Sequence, residues 1–192
     1  MRNLSAVEFI TLDAVMQGFD GPDDDPGFHY GGWGIPYQSP DSAQRGTDSS
    51  ASARTYLLGR KTYERMNAFW PHQPPENRMA AQLNAAPKLV ASRTQQDFTW
   101  NAEHLRGELV PAVTALKAEG EEPLVVLGSG ELVRQLLAAG LVDHLTLFVH
   151  PLVLGTGARV FPELEKPLAL RLGEVSRTSA GVLVLDYDRA GD

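Results

Sequence analysis

The feature that most constrains the fold is a recurring order of segments. A short apolar run ends in a glycine- or serine-containing turn, and a segment with helical spacing follows. The runs lie at residues 55–58, 88–91 and 123–127. Because strands that alternate with helices form parallel sheets with helices on both faces, this order predicts an α/β fold.

The remaining pattern completes this prediction. A strand is expected at residues 4–12, and a long loop rich in Gly and Pro at residues 13–40. Asp41 is expected to cap a helix that runs to about Arg54. The other expected elements are helices at 60–67, 76–84, 108–119 and 131–139 and strands at 142–149, 168–175 and 182–187. Since no helix separates the last two strands, they predict an antiparallel edge on a mixed, mostly parallel sheet.

Composition narrows the class of protein. The 192 residues carry a formal charge of −7 and no cysteine, which excludes thiolate nucleophiles and Cys-ligated metal sites. The negative balance argues against nucleic acid as a partner. The sequence lacks a signal-peptide pattern and an apolar run of membrane-spanning length, so we expect a soluble, cytoplasmic protein. Its length predicts a single domain over residues 1–192.

Three strand ends carry residues suited to a phosphorylated ligand. They read Gly59-Arg60-Lys61-Thr62, Ser92-Arg93-Thr94 and Gly128-Ser129-Gly130-Glu131. Glycine lets the backbone approach a phosphate, the N-terminus of the next helix offers free N–H groups, and cations add charge-assisted contacts. Taken alone, Gly-Ser-Gly between a strand and a helix is more often a tight turn, and a basic residue after a strand is more often a surface charge.

Other motifs exclude competing readings. A Rossmann fingerprint requires glycine where Val133 stands, and it would open the fold instead of lying late. The five histidines show no metal-ligand spacing, so no metal is expected. Ser129 lacks the Gly-x-Ser-x-Gly context of a nucleophile elbow. The acidic run Asp23-Asp24-Asp25 lacks EF-hand spacing and indicates a solvated loop.

The same segments, in this order, resemble the dihydrofolate reductase superfamily over nearly the whole chain. The closer resemblance is to bacterial proteins related to the C-terminal reductase domain of riboflavin biosynthesis enzymes. It is carried by Phe9-Ile10-Thr11-Leu12-Asp13-Ala14, Leu58-Gly59-Arg60-Lys61-Thr62-Tyr63-Glu64, Val90-Ala91-Ser92-Arg93-Thr94, Leu127-Gly128-Ser129-Gly130-Glu131-Leu132 and residues 150–157 with Phe161. Thr11 and Ala14 depart from the family's usual Ser-Leu-Asp-Gly.

The resemblance implies a three-layer α/β/α fold and NADPH as cofactor. It places Val15, Met16 and Gln17 at the nicotinamide end, under a loop from Ala14 to Trp33. The other cofactor residues that it implies are Gly59, Arg60, Lys61, Thr62, Ser92, Arg93, Thr94, Gly128, Ser129, Gly130, Glu131 and Leu132. Family spacing places the substrate-side carboxylate nearest Asp41, which is also a candidate helix cap. The riboflavin-type relatives commonly pair, so the resemblance also implies a homodimer.

Three functions stay open from the sequence. The first is an NADPH-dependent reductase of a small, pterin- or pyrimidine-like substrate, with Asp41, or a water that it holds, as the proton source. The second is a non-catalytic nucleotide-binding or regulatory module. The third is a kinase-like transferase, which is disfavoured because Gly-x-x-x-x-Gly-Lys-Ser/Thr is absent.

Overall fold

A computed structural model describes residues 1–23, 25–51 and 55–190. Its strands are β1 (Leu4–Thr11), β2 (Thr55–Gly59), β3 (Lys88–Ala91), β4 (Ala102–His104), β5 (Leu124–Leu127), β6 (His144–His150), β7 (Leu170–Arg177) and β8 (Leu183–Arg189). Its α-helices are α1 (Pro40–Ser49), α2 (Arg60–Phe69), α3 (Arg78–Ala85), α4 (Leu109–Ala118) and α5 (Gly130–Ala138).

All of these strands belong to one sheet, in the order β4-β3-β2-β5-β1-β6-β8-β7. Neighbours from β4 to β6 are parallel, whereas β8 runs antiparallel to both β6 and β7. The six parallel strands therefore end at one edge of the sheet, which we call the C-terminal rim. Ligands of open α/β sheets bind beyond this edge.

Two apolar cores hold helices against the two faces of the sheet. On one face, Tyr63 of α2 and Leu83 of α3 pack with Val7, Leu58 and Val125. On the other, four side chains of α5 and Val113 of α4 pack with the opposite side of the same strands. Every residue of β5 is buried, as expected for a central parallel strand covered on both faces. The predicted mixed, three-layer α/β/α architecture with an antiparallel edge is confirmed.

The predicted helix that starts at Asp41 is corrected in two respects. Ser39 is the N-cap, since its hydroxyl oxygen accepts a hydrogen bond from the Ser42 N–H at 3.3 Å, and Pro40 occupies the first helical position. Pro suits that position because its missing N–H would have no partner there. The helix ends at Ser49, and its predicted end at Arg54 lies outside the described residues.

One strand was missed and one segment was predicted well. The missed strand, β4, has three residues that include no β-branched side chain and no Phe, Tyr or Trp, so its pattern gave no signal.

The long segment at 13–40 is a loop as predicted. Its described part contains a single 3₁₀ turn at Ile35–Tyr37 before α1 begins.

No helix among the described residues combines the length and apolar character that a membrane crossing requires.

Candidate functional site

Two helices begin side by side at the C-terminal rim. β2 leads directly into α2 at Arg60, and β5 leads through Gly128 and Ser129 into α5 at Gly130. β2 and β5 are parallel neighbours, with Leu57 opposite Val126. Within the part of the chain that the structure describes, the N-cap residue of neither helix bonds its side chain to the first turn, in contrast to α1 and α3, which Ser39 and Asn77 cap. The two N-termini together present positive potential to the rim.

The turn before α5 has an unusual backbone. Gly128 and Ser129 are both left-handed, with φ of 62° and 67°. A left-handed serine is uncommon, and such strain concentrates at functional sites. The Ser129 Oγ accepts a hydrogen bond from the Gly59 N–H at 2.8 Å, which ties the α5 turn to the end of β2. A Cβ on Gly128 would lie 3.7 Å from the Thr62 methyl group.

Met16 lies against the start of α5. A Cβ on Gly130 would overlap the Met16 sulfur, so only glycine leaves room for this contact. The Gly130 and Glu131 N–H groups have no backbone acceptor among the described residues, whereas the Leu132 and Val133 N–H groups bond to the Ser129 carbonyl. The structure thus brings together six of the predicted cofactor residues: Met16, Gly59, Thr62, Gly128, Ser129 and Gly130.

Most cations of this region already face acids. The Arg60 guanidinium donates to both Glu64 oxygens at 2.8 and 2.9 Å, and both side chains are partly exposed. Arg65, also on α2, contacts Asp20 at 3.3 Å and donates to the Pro22 carbonyl at 2.6 Å.

Asp23 is a second acidic residue of the loop that faces the cations of α2. Burial raises its pKa, but the Asp25 N–H, the Gln17 amide and the charges of Arg65 and Lys61 outweigh burial and lower it. The acidic loop at residues 20–23 therefore lies over the basic side of α2.

The third predicted turn leaves β3, beside β2. Ser92 Oγ accepts hydrogen bonds from the Thr94 N–H at 3.3 Å and the Gln95 N–H at 2.9 Å, which closes the turn. The His104 ring nitrogen contacts the Ser92 carbonyl at 2.9 Å. Arg93 points into solvent from this turn and forms no ion pair with described residues. Arg93 is thus an exposed cation on this side of the rim, and Arg106, which follows the neighbouring strand β4, is another.

The loop after β1 folds onto its own core. Val15 is fully buried and packs with Phe28 and Trp33, so its side chain faces the loop. The Gln17 side-chain amide donates to Asp23 and accepts from the Ala158 N–H. The Gln17 backbone carbonyl accepts from the Trp33 indole N–H at 2.7 Å. Of the three residues expected at the nicotinamide end, Met16 is the one that contacts the α5 turn.

Asp13 joins this loop to the segment after β6. Its carboxylate accepts from the Thr11 hydroxyl at 2.6 Å and from the Leu154 and Gly155 N–H groups, and Arg159 lies 3.5 Å away. The Thr11 hydroxyl, followed by the two backbone donors, lowers the pKa of Asp13 to about 2. Asp13 is therefore a carboxylate at neutral pH, and it positions the rim at the end of β1.

His150 is a feature that the sequence did not single out. It ends β6, is 2% exposed and lies among aromatic rings. Its ring centroid is 5.4 Å from Phe19, 5.1 Å from Trp33 and 5.6 Å from Tyr37, all edge-to-face. Burial lowers its pKa, partly offset by two carbonyls that its Nδ1 contacts at 3.0 Å. The loop aromatics were the available signal, but their partner lies more than 110 residues further along the chain.

Asp41, the predicted catalytic residue, lies apart from the groove between the N-termini of α2 and α5, which begin at Arg60 and Gly130. Its exposed carboxylate accepts from the Ser179 N–H at 2.6 Å and the Ser179 hydroxyl at 2.7 Å, in the turn between β7 and β8. Bonds from Ser39 and Ser179 hold its pKa well below the usual range. Asp41 is thus ionised at neutral pH.

A family comparison now gives this arrangement a context. The model of the RibD C-terminal domain matches residues 3–184. The chain belongs to the RibD C-terminal domain family. The uncharacterized protein YyaP of Bacillus subtilis is 27% identical over 181 residues, which cover 93% of this chain and 90% of YyaP.

Solved structures agree on the fold. A protein described as a riboflavin biosynthesis protein from Shewanella sp. PV-4 superposes with a TM-score of 0.67 at 17% identity, covering 98% of this chain and 99% of that one. A pyrimidine reductase-like protein from Corynebacterium diphtheriae superposes with a TM-score of 0.63 at 13% identity, covering 100% and 93%. The family match and the shared fold are consistent with the dihydrofolate reductase superfamily.

Proposed function

We propose that this chain is an NADPH-dependent reductase of a small cyclic substrate, of which pterin- and pyrimidine-like heterocycles are the first candidates. The observation that carries the proposal is the pair of uncapped helix N-termini that Ser129 and Gly59 join at the C-terminal rim. Adjacent helix starts with free N–H groups are suited to a pyrophosphate. The third turn adds Arg93 one strand further along, where a 2′-phosphate would need a cationic partner.

The residues that would hold the dinucleotide follow from this geometry. The turns would contribute backbone N–H groups of α2 and α5, and the Ser92–Thr94 turn would face the adenosine end. Met16 and the loop from Ala14 to Trp33 would cover the nicotinamide end and exclude water. The proposed cofactor residues are Met16, Gln17, Val15, Gly59, Arg60, Lys61, Thr62, Ser92, Arg93, Thr94, Gly128, Ser129, Gly130, Glu131 and Leu132.

The bound nicotinamide supplies the hydride chemistry, and the protein supplies orientation and a dry site. Asp41 would supply a proton only indirectly, because its bonds from Ser179 and its lowered pKa keep it ionised. An ionised carboxylate orients a water without donating its own proton. Of the two proton routes that the sequence left open, we therefore propose a water held by Asp41 over direct donation.

We extend the proposal to the cellular compartment and the oligomeric state of the protein. The cysteine-free composition fits a reducing compartment, so we propose the cytoplasm. We also propose a homodimer. It is supported by the antiparallel side of the sheet, where Leu172, Val175 and Leu183 are 52%, 52% and 41% exposed.

A non-catalytic nucleotide-binding module is the second candidate. The observation in its favour is Asp41 itself, which is ionised and already bonded to Ser179. NADPH oxidation at 340 nm with a panel of pterins, pyrimidines and quinones separates the two functions. Turnover supports the reductase, and dinucleotide binding without turnover across the panel supports the module.

Thermal unfolding with NADPH, NADH, NADP⁺ and ATP tests the cofactor assignment. Saturation at 100 times Kd adds roughly 2.7 kcal/mol to native stability, which corresponds to a Tm rise of roughly 5–11 °C at this size. We expect NADPH to give this rise and NADH much less. No shift with any dinucleotide at millimolar concentration would remove the proposal's main support.

Arg93→Ala tests the reading of the 2′-phosphate. We expect it to weaken NADPH more than NADH, because only NADPH carries that phosphate. Arg177→Ala is the matched control, since Arg177 is also exposed but lies on β7, at the opposite side of the sheet. Equal losses of both dinucleotides in Arg93→Ala would refute the assignment.

A further inference from the structure

A shallow depression of about 340 Å³, which we call the cavity, lies beside the aromatic rings around His150 and opens broadly to solvent. Its walls are aromatic, aliphatic or glycine, and no Asp, Glu, Lys, Arg or His is among the described residues that line it. The lining residues are Tyr30, Gly31, Gly32, Trp33, Pro36, Tyr37, Leu152 and Leu154.

The wall is held in place by contacts behind it. Trp33 is 7% exposed, and its indole N–H donates to the Gln17 carbonyl at 2.7 Å. Trp33 and Tyr37 both contact His150 edge-to-face, with interplanar angles of 86° and 76°. The Nδ1 of His150 faces the Ile10 and Phe148 carbonyls, so it carries the proton and fixes the ring. A preformed wall of this kind binds a ring with little ordering cost.

The cavity neighbours the groove between the N-termini of α2 and α5, both in the sequence and in the order of strands at the rim. Gln17, whose carbonyl holds Trp33, follows Met16, which lies against Gly130 of the groove. On the other side, Leu152 donates its N–H to the His150 carbonyl at the end of β6, and β6 is the neighbour of β1.

We propose that this cavity takes a hydride acceptor with a flat, uncharged quinone ring, and rejects acceptors that carry an anionic group on that ring. The inference rests on the proposed reductase function. The volume is near the lower end for ligand sites, about 300–1,000 Å³, and suits one ring system. The wall offers no cation to a phosphate, sulfonate or carboxylate, so such a group would gain no charge-assisted contact there, whereas a neutral ring covers apolar surface.

The redox balance for a quinone is complete. The quinone accepts a hydride from NADPH and a proton from water and becomes a hydroquinone, while NADPH becomes NADP⁺. One NADPH is consumed for each quinone reduced.

Binding without cofactor is the first test. Calorimetric titration of the full chain compares 2-methyl-1,4-naphthoquinone with 1,4-naphthoquinone-2-sulfonate. We expect the neutral ring to bind at least about tenfold more tightly, because the cavity offers the sulfonate no cation. Equal or tighter binding of the sulfonate overturns the proposal, as does failure of the neutral ring to bind.

Two substitutions at Tyr30 place the ligand in the cavity. Tyr30→Ala should weaken the neutral ring, whereas Phe69→Ala should not. The two side chains are 52% and 53% exposed, but Phe69 lies at the end of α2, outside the cavity. Tyr30→Arg adds a cation at the cavity and should reduce the preference for the neutral ring. Equal losses in Tyr30→Ala and Phe69→Ala would show binding elsewhere and overturn the proposal.

The NADPH-induced Tm rise, measured on the same preparations, separates this inference from the proposed function. A Tm rise with NADPH but no quinone binding refutes the substrate class and leaves the reductase proposal intact. Quinone binding that Tyr30→Ala weakens, without any dinucleotide-induced rise, supports the ligand class of the cavity and refutes the reductase proposal.

Discussion

Glu8 gives the sharpest test of the physical reasoning, because it is a buried acid with an unsatisfied oxygen. It lies in the middle of β1, opposite Leu147 of β6, and is 3% exposed. Its Oε1 has no hydrogen-bond partner among the residues that the structure describes. Burial raises the pKa of Glu8 from 4.5 to about 8. The protein therefore buries a neutral carboxylic acid at neutral pH.

The sign of the pH dependence follows from this shift. The folded state binds the Glu8 proton more tightly than the unfolded chain does. The stability linked to Glu8 is therefore fully present below pH 4.5 and is lost as pH rises toward about 8. Each pH unit in this window costs about 1.4 kcal/mol of unfolding free energy, or about 3 kcal/mol between pH 5.5 and 7.5.

Glu8→Gln isolates this effect. Glutamine is nearly isosteric and never ionises, so the variant keeps the shape of the core without the proton linkage. Urea unfolding of both proteins at pH 5.5, 6.5 and 7.5 gives their stability difference at each pH, in which the other titrating groups cancel. We expect this difference to shift in favour of Glu8→Gln by about 1.4 kcal/mol per pH unit.

The control is Glu122→Gln, at an exposed position before β5. Exposed substitutions usually stay within about 0.5 kcal/mol of the parent protein, so this difference should stay small at every pH. A constant offset for Glu8→Gln is compatible with the argument, because the new amide also needs partners. A difference that does not change with pH would show that Glu8 is ionised in the folded protein and would refute the reasoning.

Three further predictions test the rim and the core. Gly130→Ala should cost less than about 1 kcal/mol in urea unfolding, because the new methyl meets the end of the flexible Met16 side chain, which can move aside; a loss above about 3 kcal/mol would contradict this. Asp143→Ala should cost about 1–3 kcal/mol, against little for exposed Asp97→Ala, because the buried Lys117 ammonium loses its carboxylate partner and keeps the Leu141 carbonyl. Arg60→Ala should weaken NADPH less than Arg93→Ala in calorimetry, since Arg60 is already paired with Glu64; a larger loss for Arg60→Ala would contradict this.

The architecture was largely visible in the sequence because it depends on local patterns. Apolar runs and the turns that follow them predicted the strands of the parallel core and the helices after β2 and β5. The exceptions are equally local. β4 is too short to show a pattern. Ser39 and Asp41 are both good capping residues, and Pro40 decided between them because it fits the first helical position.

The site was less predictable because its decisive features are contacts across the chain. The left-handed Ser129 and its bond to Gly59 join residues 70 positions apart. His150 meets its aromatic neighbours across more than 110 residues. Glu8 follows a strand pattern in which half of the side chains are expected to face solvent. Its burial arises because this strand lies at the centre of a sheet covered on both faces.

The distribution of charge at the rim determines which interactions would bind a phosphate. Arg60 is occupied by Glu64, and Arg65 and Lys61 face the acidic loop at residues 20–23. A phosphate near α2 would therefore compete with carboxylates that are already in place, which reduces the net gain from these cations. Among the described residues, the Gly130 and Glu131 N–H groups of α5 face no such competitor, and Arg93 has no ion-pair partner. Affinity at this rim should thus come mainly from backbone geometry, with specificity for the 2′-phosphate supplied by the exposed arginine at the end of β3.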